Sequence, residues 1–238
     1  MAINQLILTL VKETIKNHHA EQSANLIKCL ELGYPDLLVS AGEIDFLFGD
    51  GTAKELTIRD DSEQIAQWHG YTGAKQIFDT HSLWKKLGID PTTIDMKKIR
   101  GCEQLVDLNY PMPSDYKCRF DLAIDTGTLE HCFNVGQAFI NLFESLKAGG
   151  VAIHAFPVNR YNHGFWSANP TLYHDLCTEN DLSILWLRGV TFDNILFELP
   201  AHQRFKEIAE NTAIVACIRR DTVSEFVFPV QRKYRDNS

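Results

Sequence analysis

Residues 4–30 place Leu6, Ile7, Leu10, Val11, Ile15, Ala24, Ile27 and Leu30 at mixed spacings of three and four, with Lys12, Glu13, Lys16 and Asn17 between them. That is the period of an amphipathic helix, and it predicts one or two N-terminal helices within residues 1–29. From Lys28 the run Lys-Cys-Leu-Glu-Leu turns apolar and stops at Gly33, as a first strand and its turn would. Residues 40–86 lose the period. Gly42, Gly49, Gly51, Gly70 and Gly73 punctuate short apolar patches there, and Asp60-Asp61-Ser62-Glu63 carries a helix-start signal.

Regular alternation resumes downstream. Leu83 to Gly88 reads as a short helix ending at glycine, and residues 92–95 as a short strand ending in Asp95. Gln104-Leu-Val-Asp107 repeats the arrangement, and Arg119 to Asp125 is a further strand. Residues 135–146 put Ala138, Phe139, Leu142, Phe143 and Leu146 on one helical face, closed by Lys147-Ala-Gly-Gly150. Residues 151–156 are almost continuously apolar and halted by Pro157, the pattern of a strand buried on both faces. Two last strands, residues 182–187 and 213–218, form an expected C-terminal antiparallel pair. Strands alternating with helices predict an α/β fold with a doubly wound, mostly parallel sheet.

Composition narrows the function classes. A chain of 238 residues that is 45% hydrophobic supports one domain with a sizeable core. There is no apolar run of membrane-spanning length, and the N-terminal segment has neither a basic leader nor a small-residue cleavage site, so a cytoplasmic protein without a membrane role is expected. Cys29, Cys102, Cys118, Cys132, Cys177 and Cys217 are scattered, with no zinc-type spacing, which suits reduced thiols and predicts no metal. A formal charge of −8 argues against nucleic acid as a partner. The cationic cluster Arg232, Lys233 and Arg235 reads as a solvated tail.

Asp95, Asp107 and Asp125 each fall at or near the carboxyl end of an expected parallel strand, where open α/β sheets bind ligands. A carboxylate there can accept hydrogen bonds from ribose hydroxyls, and one on the next turn can meet an adenine amino group. Taken singly, each is as readily a helix cap or a turn residue. The stretches Val106-Asp-Leu-Asn-Tyr-Pro-Met-Pro113, Phe120-Asp-Leu-Ala-Ile-Asp-Thr-Gly-Thr-Leu-Glu-His-Cys-Phe-Asn134 and Leu146-Lys-Ala-Gly-Gly150 resemble class I S-adenosylmethionine-dependent methyltransferases. The likeness is to the bacterial small-molecule type with a GTLEH turn after the fourth strand, and His163-Gly-Phe-Trp and Pro170-Thr-Leu-Tyr173 match that group's later segments. The resemblance implies a seven-stranded Rossmann-like sheet, S-adenosylmethionine as cofactor and a small-molecule methyl acceptor, such as a saccharide or biosynthetic intermediate. It makes Asp95 the ribose carboxylate, Asp107 and Leu108 the adenine contacts, and Asp125, Gly127 and Thr128 the wall near the methionine moiety. Glu31 and Gly33 fall in the first cofactor motif.

That motif departs from the family pattern. A carboxylate is normally followed by a three-glycine turn, whereas here the run is Glu31-Leu-Gly-Tyr-Pro-Asp36; Pro35 has no N–H to offer and Tyr34 cannot approach a ligand as glycine does. Glu31 and Asp95 are 64 positions apart, where a strand-helix-strand unit needs about 30. Residues 40–86 are therefore expected as an insertion, either a lid over the site or a surface for a homodimer or protein partner. His131 is a candidate general base, with Tyr161 and His163 as further catalytic candidates in a loop that, with Asn159 and Trp166, would roof the acceptor. The competing reading has Thr128 capping the next helix and Glu130 facing its positive end, with His131 merely positioned; for Glu130 that reading is preferred. Asn109-Tyr-Pro and Asn169-Pro-Thr resemble the Asn-Pro-Pro-Tyr motif of amino-methylating nucleic-acid enzymes but do not follow the fourth strand. The alternative from another class is a methyltransferase-like scaffold that no longer binds cofactor. A dinucleotide-dependent oxidoreductase is disfavoured, since no G-x-G-x-x-G follows the first strand.

Overall fold

The computed structural model describes residues 2–21, 26–73, 75–201, 203–205 and 207–235. Ala24, counted in the expected N-terminal helix, lies outside them. Strand β1 (Ala2–Ile3) leads into helix α1 (Gln5–Glu21), and β2 (Ile27–Leu32) into the two-residue β3 (Asp36–Leu37). Three helices follow, α2 (Ala41–Phe48), α3 (Ser62–Trp68) and α4 (Thr80–Lys86), before β4 (Ile89–Asp95) and β5 (Gln104–Leu105). The second half runs β6 (Phe120–Thr126), α5 (Val135–Ser145), β7 (Leu146–Pro157), α6 (Pro170–Glu179), β8 (Leu182–Val190), β9 (Leu196–Glu198) and β10 (Ala213–Arg220).

The main sheet has the order β5-β4-β2-β6-β7-β10-β8-β9, while β1 pairs separately with β3. The first five strands are mutually parallel, and β10 runs antiparallel between β7 and β8. The doubly wound, mostly parallel sheet with its C-terminal antiparallel pair is thus as expected. Among the described residues the main sheet has eight strands, not seven, because β9 adds to the edge at β8. A second correction falls at the N-terminus: the helical pattern of residues 1–29 ends within α1, and Ile27 to Cys29 already belong to β2. A third concerns Lys147 to Gly150, expected as a turn closing a helix. Helix α5 passes directly into β7, and these residues form an irregularity between the pairs Phe120–Leu146 and Leu122–Val151. A Cβ on Gly150 would lie 2.9 Å from the Phe120 carbonyl oxygen, so only glycine fits there.

Alternation along the strands builds two cores. Ile27 and Cys29 of β2, Leu122 and Ile124 of β6, Ile153 of β7 and Cys217 of β10 face α1, α2 and α4. Leu30, Ala123, Ala152 and Ala216 face the other way, onto Phe139, Leu142 and Phe143 of α5 and Tyr173 and Leu176 of α6. Residues 40–86, expected as lid or partner surface, are divided. Ile44, Leu47, Leu83 and Trp84 lie in the first core and complete the crossover from β2 to β4, whereas α3 ends on the exposed Trp68. No helix among the described residues is long and apolar enough to cross a membrane.

Candidate functional site

The chain leaves β2 toward one edge and returns to β6 on its other side, so the topological switch point lies between the carboxyl ends of these two strands. Gly33 ends β2 with φ 82°, and Gly127 ends β6 with φ 117°. The Thr128 hydroxyl donates to the Leu32 carbonyl and ties the two ends together. Two cavities open here. The first, of about 320 Å³, has apolar walls from Ile94, Ile99, Val106 and Leu108, with Asp95 at its rim. The second, of about 370 Å³, lies toward β7 and contains Glu130, Arg160 and His163. Asp36, Trp68, Gly127 and His131 border both, so one cleft has an apolar half and a polar half that meet at Gly127 and His131.

Asp95 accepts the Lys97 backbone N–H at 3.1 Å through Oδ1, which leaves its other oxygen for a ligand in the apolar half. Leu108, Gly33, Gly127 and Thr128 line the same half. Three expected cofactor residues do not line either half. Asp107 turns its Oδ1 to Asn109, accepting from the backbone N–H at 2.9 Å and the side-chain amide at 2.7 Å. Asp125 is fully buried, accepting from Thr128 N–H at 2.9 Å and pairing with His154 Nδ1 at 2.6 Å. Glu31 lies on the α4 face of β2, where Trp84 Nε1, His81 Nε2 and Thr93 Oγ1 all donate to its carboxylate, at 2.6, 2.8 and 2.5 Å. It is the hub that fastens α4 and β4 to β2. Burial opposes charge on His81, but the Glu31 carboxylate outweighs it and raises the imidazole above its ordinary value.

The departing first motif has a local cause. The Tyr34 hydroxyl donates to Asp79 at 2.7 Å and accepts from Thr80 N–H at 3.1 Å, which pins the loop to the start of α4. Asp36, held by β3, takes Arg100 at 2.9 Å and His69 at 3.0 Å. Burial alone would push the Asp36 carboxyl up, yet the His69 hydrogen bond and the Arg100 guanidinium outweigh it and hold it below the usual range. Arg100 also lies over the Trp68 ring at 5.7 Å and forms the outer wall of the cleft.

Around the polar half, the segment after β6 forms a short 3-10 turn, Leu129–His131, with no side-chain cap from Thr128. The capping role expected of Thr128 is therefore not adopted, and Glu130 does not face solvent at a helix end. Its side chain is 2% exposed, and its Oε2 meets no hydrogen-bond partner. Gly127 and Gly164 make the room: a Cβ would come within 3.3 Å of the Glu130 carboxylate at the first and within 2.9 Å of its Cγ at the second. The N–H groups of Phe165 and Trp166 donate to the Glu130 carbonyl at 2.9 and 3.3 Å, and Trp166 Nε1 donates to Cys132 O at 3.0 Å. These bonds bring His163 back over the turn, its Nε2 3.4 Å from Glu130 Oε1; His131 Nε2 lies 4.0 Å from the same oxygen. Burial, and then the Asp125 charge, push the Glu130 carboxyl up to about 7. Burial, and then the nearby Arg160, lower the His163 imidazole below its ordinary value. Tyr161 is 91% exposed and lines neither half of the cleft, and Asn159 is used in bonds to Ala209 O and Thr212 N–H. The structure thus brings His131 and His163 together and adds Glu130, which the sequence pattern places at a helix end; the enclosure that sets Glu130 apart is made by Gly127 and by Gly164, which meets it only in the fold.

No protein-family model matches the chain, and no curated protein matches it. Among solved structures it is similar to the Burkholderia thailandensis 1,6-didemethyltoxoflavin-N1-methyltransferase with bound 1,6-didemethyltoxoflavin and S-adenosylhomocysteine, at 14% identity over 87% of this chain and 76% of that one, TM-score 0.44. It is also similar to the N-methyltransferase NodS from Bradyrhizobium japonicum WM9 in complex with S-adenosylhomocysteine, at 13% identity over 91% and 88%, TM-score 0.46. The [4+2]-cyclase SpnF is a third, at 13% identity over 92% and 82%, TM-score 0.47.

Proposed function

We propose that the chain transfers a methyl group from S-adenosylmethionine to a small-molecule acceptor, of the saccharide or biosynthetic-intermediate class. The observation that carries this reading is the bipartite cleft at the switch point: an apolar half with a carboxylate at its rim meets a polar half with two imidazoles. The first half fits a nucleoside. Asp95 would accept from the ribose hydroxyls while Ile94, Val106 and Leu108 flank the adenine, and Gly33 and Gly127 leave the backbone open where the sugar continues into the methionine arm. S-adenosylmethionine supplies an already electrophilic methyl group. The protein's work is then mainly alignment of donor and acceptor across the Gly127 boundary, with His131 and His163 as the groups able to take the acceptor's proton at Nε2.

The Tyr34-Pro35 turn, fixed by Asp79 and Thr80, favours a second reading, a scaffold that has given up the cofactor. Titration calorimetry with S-adenosylhomocysteine decides between them. One saturable site, accompanied by a rise in melting temperature, is expected of the enzyme; a folded protein with neither at millimolar ligand is the scaffold.

A further inference from the structure

The polar half of the cleft holds a second set of ligating atoms whose arrangement does not depend on what fills the apolar half. Glu130 Oε1, His131 Nε2 and His163 Nε2 converge, each offering one ligand atom, with all three atoms within 4.8 Å of one another. A metal bound by nitrogen and oxygen at about 2.0–2.1 Å in tetrahedral geometry puts its ligand atoms roughly 3.4 Å apart. The Glu130–His163 separation is already 3.4 Å, and the Glu130–His131 separation of 4.0 Å needs only a small closure. Both histidines are partly exposed, at 49% and 42% of their side chains, so neither imidazole is enclosed by the core.

The carboxylate is what distinguishes this cluster from a surface ion pair. Glu130 is buried, its Oε2 meets no hydrogen-bond partner, and both imidazoles lie near Oε1. A buried carboxylate with an unpaired oxygen is costly unless it is ion-paired or coordinates a metal. The surroundings also fix it in place. Gly127 and Gly164 leave just enough space for the side chain, and the loop carrying His163 is fastened to the Glu130 carbonyl through two backbone N–H groups. Two separated sequence segments, Leu129–His131 and the His163 loop, are thereby locked to present three ligands on one side.

We infer that Glu130, His131 and His163 form a binding site for a divalent transition-metal ion of the zinc type. Two imidazoles and one carboxylate suit that class of ion and not the all-oxygen preference of magnesium or calcium. Three protein ligands leave the remaining position open toward the cavity of about 370 Å³ that Arg160 also lines, as in sites that bind a substrate oxygen rather than closed structural sites. Under the methyl-transfer reading, an acceptor hydroxyl would occupy that position. With the metal bound, both imidazole lone pairs are taken, so the proton-accepting role of His131 and His163 belongs to the metal-free protein, and in the loaded one the proton would pass to water in the cavity. The metal site itself stands whether or not that reading holds.

The test uses the full chain stripped with chelator and dialysed against Zn²⁺, with bound metal counted by elemental analysis, and against Co²⁺ as a visible-absorbing probe. One Zn²⁺ per chain is expected, with Co²⁺ giving the intense visible bands of a four-coordinate site and Mg²⁺ failing to compete. Losing a partner behind a metal ligand typically costs ten- to a hundredfold in affinity, so Glu130→Gln and His163→Ala, which remove ligands, should each cost about a hundredfold or more. His174→Ala, on α6 and bonded to Leu199 O, should bind as the parent does. His163 is exposed, so its variant reports even where Glu130→Gln fails to fold. No Zn²⁺ bound at micromolar concentration, or stoichiometric Zn²⁺ unaffected by His163→Ala, overturns the inference. Calorimetry with S-adenosylhomocysteine on the same samples separates the two claims, since metal binding without nucleoside binding removes the methyltransferase and leaves the metal site.

Discussion

Glu31 and Glu130 are both buried carboxylates near the carboxyl ends of adjacent central strands, and the protein treats them in opposite ways. Below the first motif, Glu31 takes three donors, from Trp84, His81 and Thr93, and joins a helix and two strands. Above the neighbouring strand, Glu130 is given space by two glycines, and its Oε2 meets no hydrogen-bond partner. A buried charge surrounded by donors organises the fold. One that is sealed in with an oxygen unpaired carries a cost that an incoming ion or donor would relieve. The conspicuous acid of the first motif is thus structural, and the acid that read as an ordinary helix-end residue borders the reactive half of the cleft.

The largest effect expected from this contrast is on stability. Glu31→Ala leaves the Trp84 and Thr93 donors unpaired beneath the sheet, and removing one partner from a buried charged network costs about 3–5 kcal/mol. Urea unfolding should show that loss, and a change below about 1 kcal/mol, the ordinary range of surface substitutions, would erase the distinction between the two acids. Glu130→Gln should do the reverse. An amide in that enclosure keeps the shape and removes an uncompensated charge, so the melting temperature should hold or rise, while turnover on an identified acceptor falls about a hundredfold or more. A Glu130→Gln protein that unfolds readily would make Glu130 another structural hub.

Asp95 offers an intermediate case, a rim carboxylate with one oxygen unused. Its hydrogen bonds to ribose hydroxyls would be charge-assisted, worth roughly 1.5–3 kcal/mol, so Asp95→Asn should weaken S-adenosylhomocysteine about tenfold to a hundredfold with little change in melting temperature. His131→Ala should leave that affinity within about threefold, under 1 kcal/mol. Equal affinity losses in the two variants would dissolve the division of the cleft into a binding half and a reacting half. The smallest effect is in pH. His81 has its folded value raised, so the stability from its bond to Glu31 is complete below the unfolded value near 6.5 and is lost as pH rises through the folded one. Melting curves should decline across that window, and His81→Gln should flatten the decline; a His81→Gln protein with an unchanged slope would show that the bond carries no proton linkage.

Much of this architecture was legible in the chain because it is local. The almost continuously apolar run of residues 151–156, the helical face of Ala138, Phe139, Leu142 and Phe143, and the strand ending at Asp95 each declare themselves within a dozen residues. What escaped the sequence was decided across distance. The fate of Glu31 depends on His81, Trp84 and Thr93, some fifty to sixty positions away. Glu130 is buried by a loop that returns more than thirty positions later, so its own neighbourhood, Thr-Leu-Glu-His, carries only the signal of a helix start. Residues 40–86 resisted assignment for a related reason. Their apolar residues are spent in short pieces against the first core, and no single piece is long enough to show a period. Asp125 read as a cleft residue because it ends a parallel strand, yet the strand alternation turns it into the α5 face, where His154 meets it.

The position of β10 bears on how such a chain is made. The last strand among the described residues is an interior one, inserted between β7 and β8, so during synthesis both of those strands wait with an unpaired edge until residues 213–220 have left the ribosome. Their pairing partners, such as Val151 with Arg219, are far apart in the chain, a topology that folds slowly and leaves edges open to other chains in the meantime. A nascent chain stopped short of Ala213 would therefore be two half-sheets with sticky borders, and the need to shield it lasts until residues 213–220 emerge.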